Sequence, residues 1–161
     1  MKESELSPIL VGVAGEYLVA GELSRRGLIA AITMRNSRGI DILVSRPGGQ
    51  ASASIQVKTS LNPTVSWQLN KSDETPKGPN HYYVFVVLNG CDGHPEYHIV
   101  KGDLVTRCKA EHHNWLKGTS ATEANERIRI DVFSSYGPKR ISKIAGMTFM
   151  CDPENSKQLT T

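Results

Sequence analysis

From Pro8 to Gly27 the chain has the length of a helix, and it closes on a glycine directly after Arg25 and Arg26, as a helix C-terminus should. Three extended segments follow. Leu28 to Met34 is short and apolar; Gly39 to Ser45 sets Ile40, Ile42 and Val44 against Asp41 and Leu43; Ser52 to Thr59 sets Ile55 and Val57 against Gln56 and Lys58. Pro47, Gly48 and Gly49 between the last two predict a hairpin turn. Leu61 to Asn80, rich in Asn, Pro, Ser and Lys, reads as a long loop or irregular excursion. Tyr82 to Leu88 is a continuous apolar run, the pattern of a strand buried on both faces, so helices are expected on both sides of it. A turn at Asn89 to Gly93 leads into a strand over Tyr97 to Val100. A helix is predicted over Asp103 to Lys117 through Leu104, Cys108 and Trp115, and Arg127 to Phe133 alternates as a further strand. The order of elements predicts an α/β layer fold with a mixed central sheet flanked by helices.

Length and composition narrow the class. The 161 residues suit one domain, residues 1–161, with a polar tail from about Asp152 that is expected to fray. With 39% hydrophobic and 22% charged residues the chain is neither disordered nor membrane-spanning, and Met1 to Leu10 does not read as a signal peptide. Cys91, Cys108 and Cys151 are an odd number at wide spacing, which argues against a disulfide framework and suits a reducing, cytoplasmic setting. A net charge of +3 is compatible with a polyanionic partner without pointing to one.

The hairpin brings chemistry together. If Gly48 and Gly49 are its central residues, Asp41 lies opposite Gln56, each seven residues from its turn glycine. Directly opposed side chains share a face, with Cβ atoms about 5 Å apart, and Lys58 should project from that face too. Lys58 is then opposite Gly39. A slip of one residue would destroy this convergence. Glu16 adds a second observation. Its helical neighbours Gly12, Val13, Val19, Ala20 and Leu23 form an apolar stripe expected to face the sheet, where a carboxylate needs a cation, a donor or water to persist. The expectation is that Asp41, Gln56 and Lys58 point into one cleft, with Glu16 facing them. Asp41 and Lys58 on opposite sheet faces would exclude a shared reaction centre.

Gly15 and Glu16 on the first helix, Gly39, Ile40 and Asp41 on a strand, then Gln56, Val57 and Lys58 on the next, together resemble the PD-(D/E)XK nuclease superfamily, with a pattern similar to archaeal Holliday-junction resolvases. The resemblance covers about the first 60 residues, with Tyr82 to Val87 as the next core strand. It implies a single restriction-endonuclease-like domain and metal-dependent hydrolysis of DNA phosphodiesters in repair, recombination, restriction or defence. It also implies that Asp41 anchors the metal, that Gln56 and the Val57 carbonyl complete its shell, and that Lys58 orients water or stabilises the scissile phosphate. Glu16 would bind a second metal or metal-bound water. Oxygen ligands that leave several waters in place suit Mg²⁺, with Mn²⁺ as a substitute. Gln56 stands where a carboxylate is usual. One negative charge is thereby lost, and a catalytically inactive, nucleic-acid-binding or assembly subunit is the alternative reading.

Other residues carry weaker chemical signals. Arg35 and Arg38 flank the approach to Asp41 and could hold DNA phosphates, the alternative being a solvated loop. Trp67 could stack on a base or cap the core. Cys108 with His112, and Cys91 with His94 and His98, lack paired zinc-finger spacing and read as buried thiols and surface histidines. Lys139, Arg140 and Lys143 read as a solubility cluster. Cleavage of both strands would favour a homodimer, although no interface patch is legible.

Overall fold

The computed structural model describes residues 6–34, 39–49, 51–63, 66–117, 127–129, 142–144 and 147–149. Arg35, Arg38, Lys139, Arg140, Cys151 and the tail after Asp152 lie outside the described residues, as do residues 130–133 of the last expected strand. Helix α1 spans Pro8–Arg25, with the Ser7 side chain accepting from Leu10 N at its start. It ends as the sequence predicts. Gly27 takes φ +81°, its N–H donates to Ser24 O at 2.9 Å, and Leu28 N donates to Leu23 O at 3.1 Å. This is a Schellman closure in which buried Leu23 and Leu28 supply the apolar contact.

A five-stranded mixed sheet follows, in the order β1-β2-β3-β5-β6. Its strands are β1 (Ile29–Ile32), β2 (Ile42–Ser45), β3 (Ser52–Ser60), β5 (His81–Val87) and β6 (Glu96–Lys101). All neighbours are antiparallel except β3 and β5, which run parallel. The fold is therefore α/β with a mixed sheet. Pro47 and Gly48 occupy the centre of a tight turn closed by Gly49 N to Arg46 O at 2.9 Å, with Gly48 at φ +95°. This is the type II geometry that Pro followed by Gly favours. The turn sets Ile42 opposite Ile55 and Ser45 opposite Ser52, the register expected from the glycines.

Every residue of β5 is buried, as a central strand requires. On one face α1 packs Val11, Val19 and Leu23 over Ile42, Val44, Ile55, Val84 and Val86. On the other, helix α2 (Gly102–Lys117) contributes Val105 and Cys108 to a second cluster with Trp67, Leu69, Tyr83, Phe85 and Val87. Three further short strands are β7 (Arg127–Arg129), β8 (Ser142–Ile144) and β9 (Met147–Phe149). No described helix is long and apolar enough to cross a membrane.

Leu61–Asn80 is more ordered than its composition suggests. It connects the parallel strands β3 and β5 and contains strand β4 (Ser66–Gln68), paired with β7, and a 3₁₀ turn at Lys71–Glu74. Trp67 on β4 is 4% exposed, its ring 5.2 Å from that of Phe85. Trp67 is therefore packed into the core on the α2 face, against Phe85.

Gly15 determines how closely α1 approaches β3, because a Cβ there would lie 1.9 Å from Thr59 Oγ1. Gly21, on the same helix, has nothing within 4 Å of the same position. Gly21→Ala should gain roughly 0.5–1 kcal/mol from helix propensity, whereas Gly15→Ala should lose roughly 1–3 kcal/mol to overpacking. Urea unfolding midpoints of the two variants, moving in opposite directions, check this.

Candidate active site

Asp41 lies just beyond the first residue of β2, where the β2–β3 ladder ends. Its N–H donates to Ile55 O at 2.8 Å although Ile42 is the residue opposite Ile55, so the pairing slips by one residue here in the manner of a bulge. The side chain completes what the backbone leaves open: Asp41 Oδ2 accepts the Val57 N–H at 2.7 Å. A group that accepts a strand's lateral N–H lies close to the plane of the sheet. Thr33 supports the same corner, donating its N–H to Asp41 O at 2.9 Å and its hydroxyl to Ile40 O at 2.6 Å.

On the α1 side, Asp41 and Glu16 line one open cleft of about 280 Å³ together with Pro8, Ile9, Gly12 and Thr33. Burial pushes the Asp41 carboxyl above its usual range, against the opposing pull of the Val57 amide, Lys58 and Lys77. Gln56 and Lys58 project from the other face of β3. That face follows from the alternation along the strand, since Ile55 and Val57 pack under α1. The expected single cleft is therefore divided. The cause is that α1 covers the Ile55 and Val57 face, so Glu16 lies on one side of the sheet and the lysines on the other, and the slip at Asp41 leaves its carboxylate between them, close to the sheet plane.

The group that organises the second side was not foreseen. Asp73, in the 3₁₀ turn, is 0% exposed. Its carboxylate accepts Asn70 N at 2.7 Å, the Tyr83 hydroxyl at 2.8 Å and Lys77 Nζ at 3.3 Å, and Lys58 Nζ lies 3.7 Å away. Burial alone would raise its carboxyl, but Lys58, the Asn70 amide, Tyr83 and Lys77 outweigh that and hold it below the usual range, as an anion. Burial and Asp73 together push the Tyr83 phenol far above its ordinary value, so it remains a proton donor. Helix α2 pins the turn from below: Lys109, 2% exposed, donates to Asn70 O and pairs with Glu74 at 3.4 Å, and Thr106 Oγ1 donates to Asp73 O at 3.3 Å. The only advance signal was Asp73 and Lys77 at a spacing of four, which is common by chance.

Lys77 was not anticipated either. Its Nζ donates to Gln56 Oε1 at 2.6 Å and reaches Asp73 Oδ1 at 3.3 Å, Gly39 O at 3.4 Å and Tyr83 Oη at 3.4 Å.

The fit of a divalent cation differs between the two sides. Asp41 and Glu16 supply hard carboxylate oxygens in an open cleft, a donor set that suits Mg²⁺ or Mn²⁺ with water completing the shell. Gln56 does not fit, because its carbonyl oxygen already accepts an ammonium. Among the described residues no group of three or more His, Cys, Asp or Glu side chains is arranged to hold a metal, and this includes Cys91, His94 and His98. Cys91 is exposed and Cys108 buried.

His81 gives the network a pH signature. Its Nδ1 lies 2.8 Å from Ser54 Oγ, and burial, with Lys77 adding to it, lowers its pKa to about 4. The unfolded chain protonates this imidazole near the ordinary 6.5, so between pH 6.5 and 4 the unfolded state binds the additional proton. Stability should therefore fall with pH across that window by up to about 3 kcal/mol. Asp73 adds to the loss at lower pH, as its lowered carboxyl protonates. Asp41, with its raised carboxyl, acts in the opposite sense, favouring the folded state relatively more in acid. Urea midpoints between pH 7.5 and 4 should show the fall, and His81→Gln should flatten it; an unchanged slope in that variant would exclude His81 as the source.

No family model matches the chain, and no curated protein does. Among solved structures, the chain is similar to Hjc, a Holliday junction resolvase from the archaeal hyperthermophile Archaeoglobus fulgidus, with a TM-score of 0.45 and 14% identity over 77% of this chain and 93% of that one.

Proposed function

We propose that the chain is a metal-dependent endonuclease acting on DNA, with its reacting centre at the corner formed by Asp41, Glu16 and Lys58. The observation that carries this reading is the placement of Asp41. Its desolvated carboxylate stands in the sheet plane, in an open cleft shared with Glu16, and within the field of two lysines on the far side.

Asp41 and Glu16 would hold the ion, Mg²⁺ or Mn²⁺, which when bound polarises the phosphate and lowers the pKa of water. The Val57 amide fixes Asp41 by committing one carboxylate oxygen to the fold, and the other oxygen would be the one to hold the ion. Asp73 orients the Lys58 ammonium. This positions a positive charge beside the corner, where it can offset charge developing on a phosphate oxygen. DNA as the substrate, the cytoplasmic setting and pairing of two copies for double-strand cleavage belong to the same proposal.

A specific observation favours a second reading. Gln56 is engaged by Lys77 and Lys58 is tied to Asp73, as in a fold that retains the site's shape for nucleic-acid binding without hydrolysis.

Cleavage of plasmid, linear and branched DNA with and without Mg²⁺ separates the two. The nuclease reading expects metal-dependent product that Lys58→Ala lowers by about 10²-fold or more and that Asp41→Asn abolishes, with both variants folded. Retained DNA binding without any cleavage, by wild type in Mg²⁺ and in Mn²⁺, would leave the binding subunit.

A further inference from the structure

The surroundings of Lys77 have the composition of a hard-cation site. A side-chain amide oxygen, a buried carboxylate, a main-chain carbonyl and a phenol oxygen gather around one Nζ at 2.6 to 3.4 Å, four oxygens for a group with three protons to donate. The main chain also makes room for it. Gly39 takes φ +68°, and a Cβ there would lie 2.1 Å from Lys77 Nζ and 3.2 Å from Gln56 Oε1. Lys77 is held close to this position from behind. The 3₁₀ turn that precedes it is fastened to α2 through Lys109, to β5 through Tyr83 and to β3 through Lys58.

We propose that the Lys77 ammonium is a resident cation, built into the chain to fill the oxygen cage on the Gln56 side and to exclude a divalent ion from it. This rests on the reading of the Asp41–Glu16 corner as the metal-holding side, and it limits the site to one metal. The amide at position 56 is compatible with this arrangement, since Gln56 Oε1 accepts from Lys77 without bringing a charge of its own. An ion seated on this face would compete for the Gln56 oxygen, which Lys77 holds.

The test uses Mn²⁺ alone, titrated calorimetrically into the full chain, with melting temperatures recorded alongside. Lys77→Met keeps the aliphatic stem and removes the charge. It should gain a Mn²⁺ site, or bind at least about tenfold more tightly, because a unit repulsion and a competing donor are both removed. Gln56→Glu, with Lys77 intact, serves if that variant does not fold. Its new carboxylate should pair with Lys77, raising the melting temperature and leaving Mn²⁺ affinity within about twofold of wild type; the double variant Gln56→Glu with Lys77→Met should bind most tightly.

A Lys77→Met protein that titrates like wild type would overturn the inference. So would Gln56→Glu tightening Mn²⁺ tenfold while Lys77 remains. The two readings fail separately. Flat wild type with a responsive Lys77→Met supports the resident cation and removes the Asp41–Glu16 metal centre, whereas one site of unchanged affinity in both proteins supports the metal centre and removes the resident cation. Flat titrations throughout overturn both.

Discussion

A carboxylate with no exposure to water must be matched by the protein around it, since desolvating an ion costs several kcal/mol even after relaxation. Asp73 is such a group. Its partners come from separate parts of the chain: Asn70 N from its own turn, Tyr83 from the central strand, Lys58 from β3, and Lys77 from the segment that leads into β5. Satisfying one anion therefore fixes how the crossover between the two parallel strands lies on the sheet. It also decides where both lysines point. The arrangement on the α2 face follows from this requirement more than from the short β4–β7 ladder.

The parts of the fold that were legible in the sequence are those with a local physical cause. A glycine that tolerates positive φ marks the end of α1, and the Pro47–Gly48 turn carries the register of β2 on β3 with it. Alternation identified the buried faces, and the unbroken apolar run identified the central strand. Leu61–Asn80 was opaque because its order arises from a buried charge and a Trp ring, neither of which imposes a period. Its polar residues read as solvated when some of them are buried and paired.

Legibility of the site stopped at the same kind of boundary. The turn sets the register as far as Ile42 opposite Ile55, but pleat alternation does not extend the one residue further to Asp41. At the end of a ladder the main chain is free to slip, and the Asp41 side chain then replaces a missing strand carbonyl by accepting Val57 N–H. The result is a carboxylate between two faces, where alternation had placed it on one. This is a sufficient structural role for an aspartate, and the proposed catalytic role rests on the cleft that Asp41 shares with Glu16.

Charge balance shapes what surrounds Asp73. Its single negative charge faces two ammonium groups, Lys58 at 3.7 Å and Lys77 at 3.3 Å, while Lys109 is balanced separately by Glu74. Both lysines also pull the Asp41 carboxyl down against its desolvation, so the positive charge gathered by Asp73 acts across the sheet on Asp41 as well. The α2 face is therefore already supplied with positive charge, and a divalent ion, where the proposed nuclease reading requires one, belongs on the α1 side of Asp41.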